Sequence, residues 1–279
     1  MSNEITGWMP DQGDVPCRCL TIGSSDSCGG AGIQGDVKTF ASLGCYGMTA
    51  IVGITVQTPH GVTGRQDIAP HLIAAQIAAV IEDIGVDAVK VGATWSRSAV
   101  EAIAAALQDL CVPIVLDPVL ITAAQSILAD PEIASCVTEL LFPLATVVTP
   151  NLREAQILAG EPEITNPRVL AETLVESGAS AVIVTGGGSQ SRSDAFYDGQ
   201  SHFDIAGEWH DTMALHGSGC AHSAALTAYL AFGVPLANAA RLARDVAANA
   251  VRRGWTVGGG LGPVDVIDIG SRIPEIAVS

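Results

Sequence analysis

The sequence of 279 residues predicts an α/β fold with one mostly parallel sheet and helices on both of its faces. Apolar, β-branched runs alternate with segments of helical period along almost the whole chain. Apolar residues make up 48% and charged residues 15%, which suits a large buried core. No linker or repeat divides the chain, so we expect a polar, loose arm at residues 1–16 and a single domain over residues 17–279.

Each element is predicted from its own local pattern. Continuous apolar runs such as MTAIVGITVQ indicate strands that are covered on both faces, Ser96 or Ser98 is placed to cap a helix, and Asp198-Gly199 is typical of a hairpin turn. The predicted strands cover residues 17–24, 48–57, 87–93, 112–119, 145–150 and 180–188 with a hairpin at 194–207, and the predicted helices cover residues 31–43, 71–84, 96–110, 131–141, 152–159, 167–177, 219–231 and 235–253.

Charge and cysteine usage exclude several classes of partner. The formal net charge is −16, and the chain has only two lysines, so nucleic acid and anionic membranes, which need a cationic face, are not expected partners. No apolar run is long enough for a membrane span, and no signal peptide precedes the first strand. The seven cysteines have irregular spacing, which indicates reduced thiols and a cytoplasmic protein.

In such a sheet, ligands bind where the strands end, and a glycine motif lies at the first of these ends. Residues 30–35 read G-x-G-x-x-G, the fingerprint of dinucleotide-binding dehydrogenases. That class expects an acidic residue at the end of the second strand, but this strand ends near Gln57, and no acidic residue lies between Gln57 and Asp67. A glycine turn with close helix–strand packing is the commoner explanation, and the dehydrogenase hypothesis stays a distant alternative.

Oxygen-bearing side chains follow two later strands. In NLRE, Asn151 can cap a helix while Glu154 completes a capping box, which explains the pair without any function. Asp117 ends the preceding strand, so the three side chains could instead gather around a water-rich Mg²⁺. The residues alone leave both interpretations open.

The stretch HGSGCAHSAAL, residues 216–226, is the most specific local pattern. Gly217 and Gly219 allow a turn whose N–H groups face outward, as an anion-binding loop requires. Cys220 at the start of the helix would feel the positive end of the helix dipole, which predicts a lowered thiol pKa. The alternative is a small, inert, buried cysteine.

Taken together, LTIGSSDSCGGAGIQGDVKTFASLGCYG, NLREA and HGSGCAHSAAL resemble the hydroxymethylpyrimidine and phosphomethylpyrimidine kinase branch of the ribokinase superfamily, from about residue 17 to 265. The resemblance implies a ribokinase-like, three-layer α/β/α kinase. It implies that the γ-phosphoryl group of ATP moves, with Mg²⁺, to the hydroxymethyl group of a small pyrimidine in thiamin biosynthesis. It also implies a homo-oligomer.

The resemblance assigns a role to each matching position. Cys220 matches the catalytic base, and Gly217 and Gly219 match the anion hole. The remaining matches are Asp36, Gln57, Gly32, Ala93 and Val119 for the substrate, Asn151, Thr185, Gly187 and Ser218 for the nucleotide, and Asp117, Asn151 and Glu154 for Mg²⁺, partly through water.

The sequence also departs from the family pattern. Ala93 replaces a methionine that packs near the pyrimidine, Ser24 replaces a glycine, and the flap at residues 121–126 differs. Thr185 and Gly259 replace lysines, which removes positive charge near the expected phosphates. Two alternatives therefore stay open: a pyridoxal-type kinase, because pyridoxal also carries a hydroxymethyl group on a flat ring, and a non-catalytic sensor of a pyrimidine or nucleotide.

Overall fold

A computed structural model describes residues 15–121, 131–186, 193–267 and 269, and its strands form one nine-stranded sheet. The strands are β1 (Arg18–Asp26), β2 (Tyr46–Thr58), β3 (Gly61–Asp67), β4 (Ala88–Val91), β5 (Ile114–Leu116), β6 (Val147–Val148), β7 (Val182–Val184), β8 (Ser193–Tyr197) and β9 (His202–Ala206). Their order in the sheet is β3-β2-β1-β4-β5-β6-β7-β8-β9.

The sheet is parallel at its centre and antiparallel at both edges. β1 pairs in parallel with both β2 and β4, and the parallel pairing continues through β5 and β6 to β7. β3, β8 and β9 add antiparallel edges. Because the chain runs outward from β1 in both directions, a crevice opens at the carboxyl ends of β1 and β4, where such sheets bind ligands.

Helices cover both faces of the sheet, which confirms the predicted three layers. Five helices bury their apolar residues in a core on one face: α2 (Pro70–Asp83), α3 (Arg97–Leu107), α4 (Pro131–Leu140), α5 (Leu152–Ala159) and α6 (Pro167–Glu176). Three more helices form the second core on the other face: α1 (Gly32–Ser42), α7 (Ser218–Ala231) and α8 (Leu236–Arg252). Among the described helices, none has the length and apolar character needed to cross a bilayer.

Local signals placed most boundaries well. The Ser96 side chain accepts a hydrogen bond from the Ala99 amide at 3.2 Å, so Ser96 is the cap of α3. Gly199 lies in the hairpin turn between β8 and β9 with a φ of 83°. Strand β1 runs two residues beyond its predicted end, to Asp26.

Strand β3 is the element that sequence reasoning missed. It pairs antiparallel with β2 at the edge of the sheet, and most of its residues are exposed. Its sequence, GVTGRQD, has no apolar alternation because neither face packs into a core. Some sequence predictions fall on residues that the structure does not describe: most of the arm at 1–16, residues 122–126 of the flap, and Gly187.

Candidate active site

A cavity of about 790 Å³ lies at the carboxyl ends of the central strands. Its wall comes from residues that follow β1, β4, β5, β6 and β7 and from the first turns of α1, α5 and α7. Every predicted site residue within the described ranges lines it: Gly32, Asp36, Gln57, Ala93, Asp117, Val119, Asn151, Glu154, Thr185, Gly217, Ser218, Gly219 and Cys220. The structure therefore brings together three motifs that are far apart in the sequence.

A buried lysine lies at the floor of this cavity. Lys90 is 1% exposed, and its ammonium group pairs with Oδ1 of Asp36 and lies 3.5 Å from Oδ2 of Asp117. Thr21 donates a hydrogen bond to the other oxygen of Asp36 at 2.7 Å, and Ser223 donates to Oδ2 of Asp117 at 2.7 Å. The network joins β1, β4, α1 and α7 with the end of β5.

Lys90 keeps its charge in this position. Burial alone would lower the pKa of the ammonium group, but the charges of Asp36 and Asp117 and the hydrogen bond to Asp36 outweigh burial and hold the pKa above its usual value. Sequence reasoning did not assign Lys90 to the site. It is nevertheless one of only two lysines, and it directly precedes VGATW, the segment in which Ala93 differs from the family pattern. Both oxygens of Asp36 have partners inside the protein, so its direct contact with substrate stays a prediction.

The prediction of a lowered pKa for Cys220 is wrong. Cys220 does lie in the first turn of α7, but burial raises the pKa of its thiol to about 12. The Lys90 ammonium lowers this pKa, whereas the carboxylates of Asp36 and Asp117 raise it further. Removal from water thus outweighs the helix dipole, and Cys220 is a neutral thiol at pH 7.

The turn that precedes α7 requires glycine. Gly217 has a φ of 88°, and a Cβ atom there would overlap the carbonyl oxygen of Gly30. Gly219 has open space around the same position and lies within the helix. The two glycine loops of the sequence, residues 29–35 and 217–219, therefore pack directly against each other.

Asp26 and His216 join these loops, and the sequence analysis assigned neither of them. Oδ2 of Asp26 accepts hydrogen bonds from the Gly30 and Ala31 amides at 3.1 and 2.9 Å and lies 2.8 Å from Nε2 of His216. Burial alone would raise the pKa of Asp26, but the bonds from His216, Ala31 and Cys28 outweigh it and lower the pKa. The start of α1 and the start of α7 are thus fixed to one carboxylate.

The predicted capping box is present at the start of α5. Oδ1 of Asn151 accepts from the Glu154 amide at 3.0 Å, and Oε2 of Glu154 accepts from the Asn151 amide at 3.0 Å. Oε1 of Glu154 accepts from the Leu120 amide at 3.3 Å. Burial and the nearby charge of Asp117 raise the pKa of Glu154 to about 8.

The donor set here suits a hard cation. Asp117, Asn151 and Glu154 offer only oxygen donors apart from the Asn151 amide nitrogen, and Mg²⁺ prefers oxygen ligands and retains several waters. Because amides already hold both oxygens of Glu154, this residue fits a role in orienting metal-bound water. A nearby divalent cation would also favour its ionised form.

Two of the residues that the resemblance assigns to the nucleotide also hold the loops in place. The Thr185 amide donates to the Pro150 carbonyl at 2.8 Å, and the Ser218 amide donates to the Leu215 carbonyl at 3.2 Å. The contribution of Ser218 to anion binding would therefore come from its hydroxyl group. The amides of the next two residues, Gly219 and Cys220, lie in the first turn of α7 and therefore have no carbonyl acceptor within the helix.

At the opposite end, Gln57, Val62, Ala93 and Trp95 line the cavity. Trp95, which sequence reasoning missed, is 4% exposed, and its ring lies against Gly53 in β2. Its large side chain stands two residues after Ala93 and lines the same cavity.

Comparisons with known proteins agree with this geometry. The profile of the family described as phosphomethylpyrimidine kinase matches residues 26–265. A hydroxymethylpyrimidine/phosphomethylpyrimidine kinase from Rhizobium meliloti is 40% identical over 253 residues, which cover 88% of this chain and 95% of that protein.

Solved structures of two kinds share the fold. A pyridoxal kinase from Bacillus subtilis in complex with ADP superposes with a TM-score of 0.85 at 35% identity, covering 93% of this chain and 100% of that one. A phosphomethylpyrimidine kinase from Clostridium difficile gives a TM-score of 0.71 at 33% identity, covering 82% and 96%.

The sheet order, the two helical layers and the site at the strand ends define a ribokinase-like α/β kinase. Within that class, the profile match covers most of the sequence, and the relatives match along nearly their whole length. The chain belongs to the phosphomethylpyrimidine kinase family, as the resemblance of its three motifs predicted.

The tight contact at Gly217 predicts that alanine destabilises the protein at position 217 but not at position 219. Gly217→Ala should lower the free energy of unfolding by at least ~1–3 kcal/mol because the left-handed backbone is strained for alanine. Gly219→Ala is the control, since its Cβ meets no atom within 4 Å, and it should leave stability unchanged within roughly 1 kcal/mol. Urea unfolding measures both, and equal losses would contradict the packing described.

The raised pKa of Cys220 predicts slow alkylation. At pH 7.5, iodoacetamide should modify the exposed Cys111 well before Cys220, because only the thiolate reacts. The Cys220 rate should keep rising by roughly tenfold per pH unit above pH 8, in proportion to the thiolate fraction. Peptide mass spectrometry follows each site, and a Cys220 rate that levels off by about pH 9.5–10 would show an ordinary thiol pKa.

Proposed function

We propose that this protein transfers the γ-phosphoryl group of ATP to the hydroxymethyl group of 4-amino-5-hydroxymethyl-2-methylpyrimidine, to its monophosphate, or to both. The observation that carries the proposal is the convergence of the GSGC turn, the N-x-x-E capping box and the Lys90 network on one cavity. Family membership supports the same reaction, and the ADP complex of the B. subtilis pyridoxal kinase supports ATP as the donor.

The acceptor would bind at the end of the cavity that Gln57 and Trp95 line. The Gln57 side-chain oxygen lies 3.3 Å from the Thr55 hydroxyl, which also donates to the Ser25 carbonyl at 2.9 Å, and the Gln57 amide nitrogen can donate to a ring nitrogen. Ala93 and Val119 supply apolar contact for a flat ring, and Gly32 allows close approach of the backbone. The hydroxymethyl group would then face Cys220.

Phosphoryl transfer in this site requires positioning and charge stabilisation. The acceptor oxygen forms a bond to the γ-phosphorus, the bond to the ADP oxygen breaks, and Cys220 takes the hydroxyl proton. The amides of Gly219 and Cys220 would stabilise the charge of the transferred group. Only the thiolate form of Cys220 can accept the proton, and the Lys90 ammonium favours that form, whereas burial keeps the thiol pKa at about 12.

Asp117, Asn151 and Glu154 would hold Mg²⁺, partly through water. The cation supplies neutralisation of the phosphate charge. In this chain, Ser223 and Lys90 orient Asp117, and backbone amides fix Glu154. Residues 17–279 as a single domain, the cytoplasmic location and the homo-oligomer stay predictions.

A second candidate acceptor is pyridoxal, because a pyridoxal kinase superposes with a TM-score of 0.85. A panel of hydroxymethylpyrimidine, its monophosphate and pyridoxal, assayed with ATP and Mg²⁺, separates the two kinases by their kcat/KM values. Preference for either pyrimidine supports the proposal, and preference for pyridoxal overturns it. Nucleotide binding without transfer to any of the three would instead identify a sensor.

Cys220→Ala tests the base. It should lower kcat by about 10²–10⁴-fold, the usual contribution of a general base, while the Kd for ATP changes less than about twofold. The wild-type kcat should also rise between pH 7 and 9, as the thiolate fraction increases, and the variant should lose this rise. An unchanged rate in the variant would remove the cysteine from the mechanism.

Asp117→Asn tests the cation site. The free Mg²⁺ concentration for half-maximal activity should rise by about tenfold or more, because one anionic ligand is lost. Asp109→Asn, at an exposed position after α3, is the matched control and should leave the Mg²⁺ requirement unchanged. A titration of activity against Mg²⁺ at saturating ATP measures both, and an unchanged requirement in Asp117→Asn would exclude it as a ligand.

A further inference from the structure

The charge around the cavity raises a question that bears on the proposed function. Among the described residues, seven carboxylates line it but only three strongly basic side chains, of lysine or arginine, in addition to three histidines. ATP brings several negative charges into this wall, and one divalent cation offsets only two of them. The carboxylates are Asp26, Asp36, Asp117, Glu154, Asp194, Glu208 and Asp211, and the basic side chains are Lys90, Arg153 and Arg244.

Two of the three basic side chains already have carboxylate partners. Lys90 pairs with Asp36 and is close to Asp117, while Nη1 of Arg244 lies 3.5 Å from Oδ1 of Asp194. Arg153 differs, because it is exposed and has no hydrogen bond or ion pair with any described residue. It is thus the basic side chain of the described wall that is available to an anionic ligand.

Arg153 also lies at the place where phosphate is expected. It is the second residue of α5, between Asn151 and Glu154, so the positive end of the helix dipole adds to its charge. A β-bridge joins Asn151 to Thr185, the position at which the family pattern has a lysine. Arg153 therefore lies in the first turn of α5, two residues after the Asn151 that pairs with Thr185.

We propose that Arg153 contacts the β- and γ-phosphates of ATP and supplies the cation that Thr185 lacks. A guanidinium group can bind two phosphate oxygens at once, which a lysine cannot do with the same geometry. The inference rests on the proposed function only in that the cavity binds a nucleoside triphosphate. It adds a phosphate-contacting residue to the site.

Calorimetric titration of MgATP, MgADP and AMP without any acceptor tests this role. Arg153→Gln should raise the Kd of MgATP by about tenfold or more, which is the effect of losing a charged hydrogen bond, and leave the Kd of AMP unchanged. Arg153→Lys should restore part of the loss. Arg97→Gln is the matched control, since Arg97 is exposed, lies in the first turn of α3 and pairs with Glu101 away from the cavity.

The outcomes separate this inference from the proposed reaction. Weaker MgATP binding in Arg153→Gln supports the inference even if no member of the acceptor panel is phosphorylated. Unchanged MgATP binding overturns it even in an active kinase. Equal losses for MgATP and AMP also overturn it, because they indicate a disturbed fold and not a lost phosphate contact. Failure of the wild-type protein to bind MgATP would overturn both proposals.

Discussion

The buried ammonium group of Lys90 is the interaction on which the rest of the site depends. It lies between the carboxylates of Asp36 and Asp117, and each carboxylate also accepts a hydroxyl hydrogen bond, from Thr21 and Ser223. Removing one partner of such a group typically costs about 3–5 kcal/mol, because the others remain buried and charged. Because every partner must stay in place to keep these buried charges paired, the network holds α1, α7 and the central strands in fixed positions.

The same charges decide the chemistry of Cys220. The ammonium group favours the thiolate, but the two carboxylates and the lack of water oppose it, so the thiol pKa is high. A thiolate formed there is a stronger base than an ordinary cysteine, although less of it is present at neutral pH. The helix dipole alone, which motivated the opposite prediction, is weaker than burial at this depth.

Local signals predicted what depends on local chemistry. Alternating strands and helices gave the three layers, the NLRE pattern gave the capping box, and HGSGC gave the turn at α7. Lys90 and the Asp26–His216 contact could not be found in this way, because they join residues 54 and 190 positions apart in the chain. Strand β3 was missed because an edge strand with exposed faces carries no apolar period.

Strand β4 and the loop that follows it supply different parts of the cavity wall. Its interior residue Lys90 is fixed by two carboxylates, whereas Ala93 and Trp95, just beyond its end, line the part of the cavity where the proposed acceptor would bind. Changes in the loop can therefore alter which ring fits without disturbing the charged centre. On the proposed function, acceptor choice and phosphoryl chemistry would be separable traits on one short segment, so a few substitutions beyond β4 would exchange one ring acceptor for another.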